Sequence, residues 1–205
     1  MPTHLAVFLL TTWLLAMLPG AGQALMLRQT LLNGRRTAWA AVAGTCTGLL
    51  IWSTAAAAGL SGLLLANPHA YALIRIVGGV VLAGLGVNTL LSLRRRGTAA
   101  PEVAPATGGR RSFGLGLATN LGNPKAGVFA VSLLPQFVTA TGPVLLSSLA
   151  LGVLWAVVTG CWYVVFIGTV ERGRTLVSRP AVRRWLQAIT GCVLLCLGAA
   201  VAAGV

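Results

Sequence analysis

Six apolar segments, each about twenty residues long or longer, alternate along the chain with short polar loops. A transmembrane α-helix needs about 20 predominantly apolar residues, and these segments lack the alternating pattern of outer-membrane β-strands. Hydrophobic residues make up 57% of the 205 residues and charged residues only 8%, whereas soluble domains carry about a quarter charged residues. We therefore predict an all-α integral membrane protein, embedded in the lipid bilayer by six transmembrane helices.

The predicted spans are residues 5–27, 38–65, 71–93, 112–139, 144–170 and 185–205. A secretory signal peptide is the alternative interpretation of the first segment, because Gly22-Gln-Ala24 resembles a small-residue cleavage site. No Lys or Arg precedes Leu5, however, and a signal peptide normally begins with a positively charged region. We therefore interpret the first segment as a membrane span.

The net charge of +13 marks the topology of the chain rather than a nucleic-acid-binding surface. All of the 15 Lys and Arg residues except Arg75 and Lys125 fall into three clusters, and two apolar segments separate each cluster from the next. The clusters are Arg28, Arg35 and Arg36; Arg94, Arg95, Arg96, Arg110 and Arg111; and Arg172, Arg174, Arg179, Arg183 and Arg184. Because basic loops stay on the cytoplasmic side, we predict that all three clusters are cytoplasmic and both termini external.

A basic, Pro- and Gly-containing linker at residues 94–111 divides the chain into residues 1–93 and residues 112–205. Each half holds three predicted spans, so the second half enters the membrane in the opposite direction to the first. We predict one membrane domain built from two inverted three-helix repeats, with the linker on the cytoplasmic side.

The first span of each half contains a helix breaker. Pro19-Gly20 interrupts one and Asn123-Pro124 the other, and proline inside a helix removes a hydrogen bond and clashes with the preceding turn. Paired Gly/Pro breaks in corresponding positions of two halves indicate the substrate site of a secondary transporter. The alternative interpretation is purely structural, with Pro and Gly shaping the helices and Lys125 capping a half-helix.

A broken helix exposes N–H groups where its second half begins and carbonyl groups where its first half ends. We expect the N–H groups after Gly20 and Pro124 to attract a substrate carboxylate, with help from Lys125, and the carbonyls before the breaks to accept from an ammonium group. Thr45 and Thr159 are expected along the path. The candidate substrate-binding residues are Pro19, Gly20, Gly22, Gln23, Asn120, Asn123, Pro124 and Lys125.

Lys125 is costly in the membrane, by roughly 2.5–3.5 kcal/mol on insertion scales, and is therefore a functional candidate. No Asp or Glu lies in any predicted span. The partner of the Lys125 ammonium group must then be a backbone carbonyl, water or the substrate. The same lack of acidic ligands leaves no predicted metal site, and no cofactor or catalytic residue is predicted.

The four cysteines all lie in apolar segments, at Cys46, Cys161, Cys192 and Cys196, and free Cys there behaves as a small hydrophobe. One alternative function is a transmembrane thiol carrier in which Cys46 and Cys161 exchange a disulfide. Another is a membrane subunit or scaffold without transport activity. The sequence leaves the oligomeric state open, a homo-oligomer included.

Several of these motifs resemble the LysE/RhtB family of amino-acid exporters. The resemblance covers nearly the whole chain, and its most specific part is the pair Asn123-Pro124-Lys125-Ala126 and Pro135-Gln136-Phe137-Val138. Pro19-Gly20-Ala21-Gly22, the stretch from Ala43 to Gly48 and the Gly-rich third span fit as well. The resemblance implies a transporter, not an enzyme, that exports amino acids or close derivatives across the bacterial cytoplasmic membrane, driven by the proton gradient.

The chain departs from the family pattern at three positions. Ala21 stands where many members have proline, Val81 where a tyrosine is usual, and Thr159 where some members carry an acidic residue. Without that acid, a basic substrate such as lysine fits less well than a neutral one. We therefore expect a neutral amino acid, such as threonine, homoserine or a leucine-like one.

Overall fold

A computed structural model describes residues 5–66, 68–94, 108–138, 144–173 and 180–203, and every element in these ranges is helical. The helices are α1 (Leu5–Met17), α2 (Ala21–Arg28), α3 (Arg35–Ala66), α4 (Pro68–Arg94), α5 (Gly109–Leu121), α6 (Pro124–Val128), α7 (Val144–Arg172) and α8 (Pro180–Ala203). The predicted all-α class is confirmed. Most of the predicted linker, the turn before α7 and part of the third basic cluster lie outside the described residues.

Two helices in the described part are long and apolar enough to cross a membrane, at Arg35–Gly59 and Leu145–Arg172. The pair Leu5–Met17 and Ala21–Asn33, bent by 57°, passes the same test together and has the form of either a broken span or a re-entrant loop. Shorter apolar helical stretches occupy Ile76–Leu91 and Gln187–Ala203. The chain is thus helical and apolar as predicted, whereas the six-span count stays a prediction.

Both predicted helix breaks are confirmed. The first separates α1 from α2, where Gly20 has an extended backbone, and the second separates α5 from α6. Pro124 occupies the first turn of α6, where its missing N–H costs no hydrogen bond. A π-helical turn follows in each half, at Gln29–Asn33 after α2 and at Phe129–Leu133 after α6, and the second leads into the 3₁₀ turn Leu134–Phe137.

Small residues set the closest helix contacts. A Cβ at Gly44 or Gly116 would overlap the backbone of the facing helix, so α3 and α5 meet backbone to backbone. Gly79 and Gly86 of α4 pack against α8 in the same way, at Gly198 and Gly191. Not every glycine of the third segment does this, because Gly84 has open space beside it.

The buried apolar residues of the bundle form two cores. The first core is built around Phe8, Leu15, Leu49, Phe129, Leu134 and Trp155. The second core contains Leu25, Met26, Ala38, Ala41, Val42, Tyr163 and Ile167. Cys46 packs against both.

The three basic clusters meet at one end of the bundle, as far as their residues are described. Arg35 forms an ion pair with Glu171, which precedes Arg172, at 4.0 Å. Ser112, which follows Arg111, donates to the side-chain oxygen of Gln29 at 3.5 Å. These contacts join the ends of α2, α3, α5 and α7. These contacts agree with the predicted common face, which stays a prediction for the three clusters as a whole.

Candidate functional site

A cavity of about 40 Å³ lies between the two helix breaks. Six of the eight candidate residues line it, namely Gly20, Gly22, Gln23, Asn120, Asn123 and Lys125, and so do Thr45 and Thr159. Pro19 and Pro124 are not among its lining residues; Pro124 instead lines a separate apolar groove of about 600 Å³ between α3, α4 and α6. The structure thus brings most of the candidate residues together around one small polar space.

The ammonium group of Lys125 binds the end of α1. Its Nζ donates to the backbone oxygen of Leu15 at 3.1 Å and to that of Leu18 at 3.4 Å. The last carbonyls of a helix lack partners within the helix and carry partial negative charge. Lys125 therefore caps the first broken helix from the second one. Its predicted contact with a substrate carboxylate stays a prediction.

Gln23 binds the two carbonyls that Lys125 leaves free. Its Nε2 donates to the backbone oxygen of Ala16 at 3.0 Å and to that of Met17 at 2.9 Å. The side chain reaches back across the break from α2, and the residue is only 7% exposed. All four carbonyl groups from Leu15 to Leu18 thus accept hydrogen bonds from two side chains.

The two half-helices that begin at the breaks differ in how their N–H groups are used. Asn123 caps α6, because its side-chain oxygen accepts from the N–H of Lys125 at 3.1 Å and its backbone oxygen from those of Ala126 and Gly127. The predicted N–H donors after Pro124 are therefore satisfied within α6. Gly20 offers α2 no side-chain cap. Both half-helices begin at the cavity, and α2 is the one that begins there without a side-chain cap.

Asn120 supplies a free acceptor. The residue is 6% exposed, and its side-chain oxygen has no hydrogen-bond partner among the described residues. Its amide packs against Gly48, where a Cβ would collide with it, and its backbone oxygen accepts from Trp52 at 3.4 Å. A buried acceptor without a partner is costly, so this oxygen is suited to a donor that enters the cavity.

Two aromatic residues of α7 line the cavity and were not predicted. Trp155 belongs to the first core and lies beside Phe129, with ring centroids 4.6 Å apart. The hydroxyl group of Tyr163 touches Gly22 at the start of α2. Both residues lie four positions from Thr159, on the same helix face. That spacing was the sequence signal that could have found them.

The cysteines lie apart from this polar site. Cys46 donates to the backbone oxygen of Ala156 at 3.5 Å, and Cys161, Cys192 and Cys196 are exposed. Among the described residues no group of three or more His, Cys, Asp or Glu side chains is placed to hold a metal ion. The chemistry available in the cavity is therefore hydrogen bonding and charge.

Comparisons with known proteins add independent information. The family model of LysE type translocators matches residues 13–204. A homoserine/homoserine lactone efflux protein of Salmonella typhimurium is 30% identical over 196 residues, which cover 95% of this chain and 94% of that protein. The uncharacterized membrane protein YrhP of Bacillus subtilis is 24% identical over a region that covers 90% of this chain and 91% of that protein. A threonine efflux protein of Escherichia coli is 31% identical over 60% of each chain. No solved structure matches.

Proposed function

The chain belongs to the LysE type translocator family, and on that premise we propose that it is a secondary transporter that exports neutral amino acids across the bacterial cytoplasmic membrane. Relatives are named for the efflux of homoserine, threonine and leucine, which all carry an ammonium group, a carboxylate and an uncharged side chain. The observation that carries the proposal is the cavity between the two breaks, which is lined by Asn120 with its unpartnered side-chain oxygen, by Lys125 and by the start of α2.

The cavity suits a zwitterion. A carboxylate fits at the start of α2, where backbone N–H groups and the helix dipole attract anions. An ammonium group fits the free side-chain oxygen of Asn120, and it fits the carbonyls at the end of α1 when Lys125 leaves them. None of the residues that line the cavity is acidic, so nothing there would pair with a second positive charge. This favours a neutral side chain over a basic one.

Transport requires the cavity to open, because about 40 Å³ holds only a few water molecules. Residues of both apolar cores line it, among them Trp155 of the first core and Tyr163 of the second. We infer that the described conformation is an occluded one, and that substrate enters and leaves when one core at a time separates. The proton gradient is the proposed driving force, as the family resemblance implies.

We infer an architecture of six spans in two inverted repeats, with basic loops in the cytoplasm and both termini outside. The most extensive helix contacts in the described part support it, namely α4 with α8, α3 with α5, α3 with α7 and α1 with α7. If residues 1–93 and 112–205 exchange places, α1 corresponds to α5, α3 to α7 and α4 to α8. This exchange turns the α3–α5 pair into the α7–α1 pair, and it leaves the α4–α8 and α3–α7 pairs unchanged. A two-fold relation between the halves requires this pattern.

Efflux from bacterial cells tests the proposal. Cells loaded with leucine- or threonine-containing dipeptides should release the amino acid faster when they express the protein. Asn120→Leu removes the free acceptor and should return efflux to the level of cells without the protein. Asn88→Leu is the matched control, because Asn88 is exposed on α4, and it should export normally. Equal efflux from both variants at equal membrane levels would remove the cavity from the transport path.

A further inference from the structure

The carbonyl site at the end of α1 is already filled. Lys125 and Gln23 together bind the four backbone oxygens from Leu15 to Leu18. Gln23 belongs to the same broken helix as these carbonyls, whereas Lys125 comes from the other half of the chain. A substrate ammonium group that approached these oxygens would therefore meet an ammonium group that is part of the protein.

The two groups are chemically equivalent. The side chain of lysine ends in a primary ammonium with three N–H donors and no acceptor, and so does the α-amino end of an amino acid at neutral pH. A carbonyl oxygen has a second lone pair, but two positive charges at hydrogen-bonding distance from the same oxygens repel strongly in a small cavity with few waters. One of them has to leave.

We propose that Lys125 is an internal substitute for the ammonium group of the substrate: it fills the α1 carbonyl site in the empty transporter and is displaced when an amino acid binds, which brings a carboxylate together with its ammonium group. This inference rests on the proposed function, since it assigns the subsite that recognises the substrate's amino end. It also gives the carbonyls of Leu15 and Leu18 a ligand class, namely primary ammonium ions.

The displaced side chain needs a new partner. No acidic side chain lines the cavity, so the carboxylate that arrives with an amino acid is the anion at hand. Lys125 thus exchanges two carbonyl oxygens for the carboxylate of the substrate. The exchange breaks the link between α1 and α6, and substrate binding thereby releases a contact that holds the two broken helices together.

Ethylammonium chloride is a probe of this subsite, because it carries the ammonium group without a carboxylate. Its binding to the purified full-length protein in detergent can be measured by calorimetry. Wild-type protein should not bind it, since Lys125 fills the subsite. Lys125→Met leaves the carbonyls free and should bind ethylammonium at least about tenfold more tightly than wild type. Lys125→Arg keeps a tethered cation and should behave like wild type.

Two controls make the result specific. Tetramethylammonium has no N–H donor and should not bind Lys125→Met. If gel filtration shows that Lys125→Met is misfolded, Lys125→Ala, which removes both the charge and the N–H donors, replaces it with the same expected outcome. Equal binding of ethylammonium to wild type and to the neutral variant, or no binding to either, would overturn the proposal.

Amino-acid counterflow into liposomes, measured in parallel with wild-type protein, separates this inference from the proposed function. Counterflow without any difference in ethylammonium binding would reject the role of Lys125 and leave amino-acid export standing. Ethylammonium binding to Lys125→Met without counterflow of any amino acid by wild type would support the ammonium subsite and reject amino-acid export.

Discussion

Replacing Gln23 by leucine removes one of the two side chains that satisfy the end of α1. The change leaves the oxygens of Ala16 and Met17 without the donors that now lie at 3.0 and 2.9 Å. Each buried hydrogen bond contributes about 0.5–1.5 kcal/mol, and bonds measured inside membrane proteins average about 0.6 kcal/mol with a maximum near 1.7. Leucine fills a similar volume, so the cost of a cavity is small.

We therefore expect Gln23→Leu to lower the free energy of unfolding by about 1–3 kcal/mol for its two bonds. For a chain of this size, each kcal/mol lowers Tm by about 2–4 °C. Thermal unfolding of the purified protein in mild detergent measures the shift. Gln136→Leu is the matched control, because Gln136 is exposed and donates a single bond, to the backbone oxygen of Ser132 at 3.0 Å.

The expected order is a clear loss of Tm for Gln23→Leu and a smaller loss for Gln136→Leu. A Gln23→Leu variant as stable as wild type would refute the reasoning that buried side-chain donors hold the first break in place. A loss of the same size in both variants would show that the effect belongs to any Gln-to-Leu change.

Three further predictions test other contacts. Gly22→Ala places a methyl group against the Tyr163 hydroxyl and should reduce efflux, and the double variant with Tyr163→Phe should regain most of it. In Gly116→Ala the new methyl group meets the backbone of α3, and the protein should lose about 1–3 kcal/mol of stability. In Gly114→Ala, on the same helix, the methyl group has open space, and the protein should gain less than about 1 kcal/mol. Replacing all four cysteines by serine should leave the efflux rate unchanged, and a complete loss of efflux in a folded variant would favour the thiol carrier.

The helix breaks were predictable from the sequence, because proline and glycine act on the backbone where they stand. Pro124 removes an N–H, and Pro19 with Gly20 interrupts the first span, whatever surrounds them. The residues near those breaks were predictable for the same reason: six of the eight candidate residues line one cavity.

The partners of these residues were not predictable, because they depend on tertiary contacts. Lys125 lies more than a hundred positions from Leu15 and Leu18, whose carbonyls it binds. Because the predicted spans contain no acidic residue, the sequence limits the possible partners of Lys125 to carbonyls, water or substrate. Only the fold shows that the partners are the carbonyls at the end of α1. Asn123 lines the cavity as predicted from its place at the break, and only the fold shows that it also caps its own helix.

The aromatic walls of the cavity depend on the fold as well. Trp155 and Tyr163 stand in a helix that is apolar on all sides, so hydrophobic periodicity does not tell which face meets the site. Gly84 makes the same point for packing, because a Cβ there would meet nothing within 4 Å, whereas a Cβ at Gly86, two positions further along α4, would collide with α8. Composition indicates a buried helix, whereas the neighbours decide which face is used.

Counterflow in liposomes that contain only the purified protein tests amino-acid export most directly. Liposomes loaded with unlabelled leucine, threonine or homoserine and diluted into a trace of the same labelled amino acid should accumulate label transiently for at least one of the three. Asn120→Leu should abolish the uptake, and Asn88→Leu should not. Failure of folded wild-type protein to exchange any of the three, with or without an imposed pH gradient, would contradict the proposed function.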